Sequence, residues 1–346
     1  MGPKVTIKTK KQTGLMVLIL IAVLIVFAIG SLAVGRYGLK IAEIFAIVSD
    51  KLFGVPGNYP AASATVLINV RTPRLLAAIC IGAALSAAGA SYQGLFRNPM
   101  VSPDLLGASA GAGFGAAISL LLERSMLEVQ LVSFVCGIAA VGITYAVGSR
   151  VSRGNNTTLS LVLTGLVVSA LFQAFITIIK YVADPNSKLP AITYWLMGGL
   201  NSIMLEDLPI LIIPILIGLV PMLLLRYKLN LLAFGDEEAK SAGVDTRKLR
   251  LTFIIASTLV TSASVAASGM IGWIGLVIPH LARMLVGPNY KTLLPVSVLL
   301  GSIFLLLIDN VSRCLFSVEI PLSVLTALFG APFFLSLLMK GKKGWV

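Results

Sequence analysis

Long apolar runs separated by short polar segments dominate this chain of 346 residues. A helix rises about 1.5 Å per residue and bilayer hydrocarbon is about 30 Å thick, so about 20 apolar residues are needed to cross it. The clearest candidates are Leu15 to Val34, Leu75 to Leu95, Leu105 to Leu122, Val129 to Val147, Leu159 to Val182, Leu208 to Leu225, Leu251 to Ala267, Leu293 to Ile308 and Ile320 to Met339. Between the seventh and eighth lies GMIGWIGLVIPHLARMLVG (269–287), apolar but broken by Gly272, Gly275 and Pro279, which predicts a tenth, irregular span. The expected fold is an all-α polytopic membrane protein of ten transmembrane helices. A tail over 1–14 precedes a single transmembrane domain over 15–346.

Composition makes lipid the solvent for most of the chain. It is 57% hydrophobic with a mean hydropathy of +0.97, whereas soluble domains run nearer about 45–50% apolar. The first run follows Lys4, Lys8, Lys10 and Lys11 as a signal peptide would. It is too long for such a segment and no A-x-A-like cleavage site follows closely, so a retained helix is expected.

Ten spans put both termini on one side of the membrane, and the basic residues choose the side. With the N-terminus cytoplasmic, the inner segments hold 18 of the 27 Lys and Arg residues, including Arg97, Arg226, Arg247, Lys248, Arg250, Lys342 and Lys343. That agrees with the positive-inside rule. The net charge of +13 is spread over many short loops without interleaved aromatics, so it argues for topology and against nucleic acid as a partner. Cys80, Cys136 and Cys314 fall in or beside apolar spans without paired spacing, and are expected to be buried structural thiols. The sequons at Asn155 and Asn156 fall in a predicted cytoplasmic loop and carry no weight.

Small residues recur at helical spacing. Gly82, Ser86, Ala90 and Gly94 repeat on one span and Gly107, Gly111 and Gly115 on the next, the pattern that lets backbones approach in lipid. Three classes of function then compete: an intramembrane enzyme, an ion- or proton-coupled carrier, and a permease driven by a separate engine. An enzyme is the weakest, because the chain has one histidine, His280, no HExxH or GxSxG, and no metal-ligand set. A carrier needs titratable groups in the membrane, and Asp309 and His280, both near span ends, are the candidates, Asp309 first. The preferred reading of Asp309 is an ion pair with Arg313, four residues on.

GDEEAKSAGV (235–244) favours the third class. Asp236 can cap a helix, Glu237 and Glu238 suit its positive end, Lys240 lies toward its negative end, and Gly243 can take a left-handed terminating position. The result is a helix of about two turns, which is not stable alone in water. It must rest on the chain's own spans or on a partner.

This stretch resembles the coupling helix of the bacterial ABC importer permeases for ferric siderophores, haem and cobalamin. RTPRLLAAICIGAALSAAGASYQGLFRNPMVSPDLLGASAGAG (71–113), YWLMGGL (194–200), SGMIGWIGLVIPHLARMLVG (268–287) and DNVSRCLFSVEIPLSVLTALFGAPFFLSLL (309–338) match the same family in the same order. The resemblance runs from about residue 65 to the C-terminus. It implies a permease of the bacterial or archaeal cytoplasmic membrane, paired with a second permease copy, two cytoplasmic ATPases and an extracytoplasmic binding protein. No G-x-x-x-x-G-K-[ST] occurs in the chain, so ATP and Mg would be bound by the partner ATPase.

Carried over by motif, the resemblance implies that Asp236, Glu237, Glu238, Ala239, Lys240, Ser241, Ala242 and Gly243 form the ATPase-coupling helix. It implies that Arg71, Arg74 and Arg313 face outward and pair with glutamates of the binding protein, a role suited to arginine. RNPM matches a cytoplasmic gate turn, making Asn98 and Met100 gate candidates, with Thr157 and Thr158 as a second gate contact. Two positions depart from the family pattern: Ser323 stands where Gly is usual and Trp273 where Phe is common. The expected cargo is a ferric siderophore, with haem and cobalamin as alternatives and a proton-coupled carrier using Asp309 as the reading from another class.

Overall fold

The computed structural model describes residues 10–151 and 157–340, among which every regular element is helical. In chain order these are α1 (Lys10–Ala33), α2 (Ile41–Phe53) and α3 (Ala61–Thr65), the last continuing through a π-helical turn (Val66–Arg71) into α4 (Thr72–Leu95). Then follow α5 (Ala108–Leu121), α6 (Met126–Val151), α7 (Thr157–Val182), α8 (Lys188–Met197), α9 (Leu208–Leu225), α10 (Lys228–Leu232) and α11 (Asp236–Ser241). The chain ends in α12 (Thr246–Ser268), α13 (Ile274–Val286), α14 (Tyr290–Cys314) and α15 (Leu322–Lys340).

Seven helical segments are long and apolar enough to cross a bilayer: Gln12–Ala33, Ala61–Leu95, Met126–Val151, Thr158–Val182, Leu205–Leu225, Thr246–Ser268 and Tyr290–Cys314. Three expected spans are shorter apolar helices, Ala108–Leu121, Ile274–Val286 and Leu322–Leu337. The reasons are local. Pro103 opens a 3-10 turn (Pro103–Leu106) that ends at Gly107, so α5 starts late and has 14 residues, about 21 Å at the helical rise. In the 269–287 stretch the chain leaves α12 through Gly269, and Trp273 takes a left-handed φ of 70°, so α13 begins only at Ile274. α1 begins at Lys10, inside the expected tail over 1–14; residues 1–9 and both sequons lie outside the described residues.

α4 is the centre of the bundle, with every residue from Ile81 to Leu95 in its C-terminal part buried. It packs on α14, α12, α13 and α9. Small residues make the closest approach: a Cβ on Gly82 or Gly301 would run into the other helix's backbone, and one on Gly89 into Gly275. On α5, Gly111 and Gly115 play the same part against Cys136 and Val132 of α6. Dispersion between such close backbones replaces the hydrophobic drive that lipid does not supply. Trp273 is accommodated because its side chain lies over Gly330 of α15, where an added Cβ would sit 2.8 Å from the Trp273 Cβ. Cys314 is exposed at the end of α14, contrary to the expected burial, because the helix ends there and leaves the packed core; Cys80 and Cys136 are half-buried.

Candidate functional site

Two charged regions stand at opposite ends of the bundle. At the first, α1 ends beside the start of α4 and the end of α14, and three arginines turn inward. Arg71 donates to the carbonyls of Leu32 and Ala33, which the end of α1 leaves unpaired, and to that of Tyr37 in the following loop. Gly35 makes room for it, since a Cβ there would lie 2.7 Å from Arg71 Nη2. Arg74 Nε is 2.7 Å from Asp309 Oδ1, and Nη1 is 2.9 Å from Glu319 Oε1. Arg313 Nη2 donates to the Ser31 carbonyl at 2.7 Å, to Ser31 Oγ at 2.6 Å and to Asn310 Oδ1.

Asp309 makes the ion pair with Arg313 that the sequence suggested, and a closer one that it did not. Its close partner is Arg74, 235 positions away in the chain, while Arg313 Nε stays 3.7 Å from Oδ2. The reason is direction: Arg313 turns back toward α1, and α4 presents Arg74 face-on to α14. Asp309 is 1% exposed, and the side chains of Arg74 and Arg313 are 7% and 9% exposed. Glu319, at 32%, is the open edge of the cluster. Beside it lies a cavity of about 250 Å³ lined by Tyr194, Trp195, Asn201, Ser268, Ser312 and Glu319.

At the opposite end lies α11. Gly235, not Asp236, occupies its N-cap position; the Asp236 carboxylate accepts instead from Arg250 Nη2 at 2.7 Å. The far end closes as the sequence predicts. Gly243 adopts φ 79° and its N–H reaches the Lys240 carbonyl at 2.8 Å, while Val244 N–H reaches the Ala239 carbonyl at 3.0 Å. Ala239 is fully buried, whereas Glu237, Glu238, Lys240, Ser241, Ala242 and Gly243 are exposed. Lys240 Nζ is 2.9 Å from Glu237 Oε1, and that hydrogen bond raises the Lys240 pKa. Phe234, next to this charged face, is 76% exposed.

Both flanks of α11 are fastened. Asn230 of α10 donates to Asn289 Oδ1 at 3.0 Å and accepts from Tyr290 N–H at 2.9 Å, tying α10 to the start of α14. After α11, Asp245 caps α12 by accepting from Lys248 N–H at 3.0 Å, which holds its carboxyl below the usual range. Arg250, one turn into α12, also donates through Nη1 to the Leu95 carbonyl at 3.1 Å and to Thr158 Oγ1 at 3.2 Å.

The gate candidates lie at this same end. Asn98 Oδ1 accepts from Met100 N–H at 2.9 Å, closing the RNPM turn that follows α4, and Met100 is exposed. Thr157 and Thr158 open α7. The fold thus brings α11, the end of α4 and the start of α7 together, and separates them from the three arginines by the length of the bundle. Arg250 and Asn230 escaped the sequence reading. A trace of Arg250 was there: it shares the helix face of Leu249, Phe253 and Ile254, all buried, while Arg247 and Lys248 face out. Among the described residues no group of His, Cys, Asp and Glu is placed to hold a metal ion.

Comparison with known proteins agrees with this architecture. The sequence model of the FecCD transport family matches residues 20–340. The chain is 38% identical to the molybdate import system permease protein MolB of Haemophilus influenzae, over 93% of this chain and 94% of that protein. It is also 38% identical to a probable iron chelatin transport system permease protein of Helicobacter pylori, over 80% of this chain and 82% of that one. A solved inward-facing structure, described as an ABC transporter of metal-chelate type, superposes with a TM-score of 0.83 at 36% identity, covering 94% of this chain and 99% of that chain. ABC importer permeases of this kind work with an ATPase and a binding protein, and are not themselves catalytic. The chain belongs to the FecCD transport family and is a multi-pass membrane permease of an ABC importer.

Proposed function

We propose that this permease, paired with a second copy of itself, forms the path by which a ferric siderophore-type chelate enters across the cytoplasmic membrane. The observation that carries the reading is α11: a six-residue helix held from within by Ala239 and Asp236 while Glu237, Glu238 and Lys240 face outward beside exposed Phe234. A helix so short persists only when held, and its outer face is charged and exposed among the described residues. It is the surface offered to an ATPase. The chain then has ten spans, the three shorter helices included, with both termini cytoplasmic. In support, α1 begins and α15 ends on the side of α11, away from the arginine cluster where α1 ends, and a cytoplasmic N-terminus is the orientation in which the sequence assigns 18 of the 27 basic residues to inner segments.

In this mechanism ATP closes two ATPase subunits, the cleft that holds residues 236–243 shifts, and the attached helices rock so that the path opens to one side at a time. Asn98, Met100, Thr157 and Thr158 stand at the inner gate. The binding protein docks at the arginine end. There Arg71 and Arg313 hold the surface together from beneath, and the Arg74–Glu319 contact is the part an acidic lobe can compete for.

The test is co-purification of the tagged chain with its ATPase. Replacing residues 236–243 by a Gly/Ser linker is expected to release the ATPase from a folded permease; retention of the ATPase by that variant would sink the assignment. Cargo is decided by uptake of radiolabelled ferric siderophore into cells carrying the whole importer. A second reading, molybdate, is favoured by the Haemophilus influenzae relative, which matches over 93% of this chain; molybdate uptake without siderophore uptake would establish it. Haem and cobalamin are tested in the same assay.

A further inference from the structure

Arg250 bonds to all three cytoplasmic pieces singled out above. Its Nη2 reaches Asp236 on α11 at 2.7 Å, and its Nη1 reaches the Leu95 carbonyl at the last turn of α4 and Thr158 Oγ1 at the first turn of α7. The side chain is 12% exposed and Asp236 is 40% exposed, so the contact is partly shielded from water. We propose that Arg250 is a positioning residue that couples α11 to the inner gate, so that a displacement of α11 is delivered to the RNPM turn and to the start of α7. The inference rests on the reading of α11 as the ATPase contact.

The chemistry suits the task. A guanidinium is planar, permanently charged and carries five N–H donors in a fixed fork, so one group can hold a carboxylate on one edge and two oxygens on another without rotating. A lysine ammonium would keep the charge beside Asp236 but has no rigid fork to span the remaining two acceptors. The positions of those acceptors matter as well. The Leu95 carbonyl is three residues before Asn98, whose own N–H bonds the Gln93 carbonyl and whose side chain closes the turn carrying Met100. Pulling on Leu95 therefore pulls on the base of that turn. On the other side of α11, the Asn230 to Asn289 and Tyr290 contacts hold α10 to α14, so α11 pivots between a fixed flank and the Arg250 flank.

The test reads the turn directly and needs no cargo. In the complete importer, with Cys314 replaced by Ser because it is exposed, Met100→Cys is labelled by a membrane-impermeant thiol reagent in inside-out vesicles, with and without a non-hydrolysable ATP analogue. The analogue is expected to change the labelling rate by about fivefold or more, the scale of a typical coupling energy. Arg250→Lys should reduce that change to less than about twofold while the ATPase still co-purifies, and Thr158→Val should reduce it partially. A merely structural role for Arg250 would alter stability and leave the nucleotide response intact. The inference falls if Arg250→Lys and Thr158→Val both keep the full response, or if the parent importer shows none with its ATPase bound. If replacing residues 236–243 fails to release the ATPase, the underlying reading of α11 falls instead.

Discussion

The two ends of the bundle use charge in opposite ways. At one, Arg71, Arg74 and Arg313 are turned into the protein, each supplied with carbonyls, carboxylates or hydroxyls from other helices. At the other, Glu237, Glu238 and Lys240 stand in solvent on a helix too short to persist alone, while a single arginine anchors it from behind. Internal pairing makes the first group part of the fold, so its loss is felt as instability. The second group does little for the fold, so its loss is felt only where another protein meets it.

The sharpest way to break this contrast is Arg74→Ala. It strands Asp309, which is almost fully buried, and removing one partner of such a pair costs about 3–5 kcal/mol. A large fall in thermal stability of the detergent-solubilised protein is expected, and Arg74→Met combined with Asp309→Leu should recover most of it. If Arg74→Ala unfolds at the parent temperature, the ion pair is not structural. The same burial means that Arg71→Glu with Arg74→Glu is expected to damage the fold, so binding-protein docking is better probed at Glu319.

A smaller loss, about 1–3 kcal/mol from forced overpacking, is expected for Gly301→Val, whose side chain would meet Gly82 and Ser86 of α4. The melting curve again reports it. Glu237→Lys with Glu238→Lys marks the other side of the comparison: an unchanged melting temperature together with loss of ATPase capture in a pull-down. Unaltered capture would make those acids helix formers only.

The smallest effect is at Asp245. Its folded pKa is depressed by the Lys248 N–H, so its capping contribution is present above about pH 4, the unfolded carboxylate value, and is lost as pH falls through the lower folded value. Amide protection in the first turn of α12 should therefore drop on acidification. Asp245→Asn, which caps without titrating, should flatten that dependence; an identical acid profile in the variant would remove the cap as its cause.

Much of this arrangement was legible in the chain. α11 announces itself because its signals are local: acids first, Lys240 late, and Gly243 where a left-handed residue is required. The small-residue rows on α4 and α5 also identified close-packed faces, though their partners, Gly301 and Tyr290 on one side and α6 on the other, required the tertiary fold. Asp236 misled because the same carboxylate can cap a helix or pair with a distant cation, and only the packing of α12 decides for Arg250. For Asp309 the i,i+4 spacing reveals the longer pair with Arg313, whereas the closer partner, Arg74, is near only in space. The short start of α5 and the late start of α13 follow from Pro103 and from the backbone reversal at Gly269 and Trp273, which hydropathy cannot register.

The π-helical turn at Val66–Arg71 has a consequence for insertions and deletions. A π turn holds about one residue more than the α-helical turn it replaces. Removing one residue from it would rotate everything before it by about 100° about the helix axis, the angle of one residue at 3.6 per turn. Leu67, seated with Ile44 and Ile47 of α2 in a small separate core, would then point elsewhere, and α2 would lose its seat while α4 kept its place. The residue count of this turn thus steers the surface helix independently of the bundle beneath it, and a length change there is a route by which such a chain can re-aim its outer face without disturbing its membrane core.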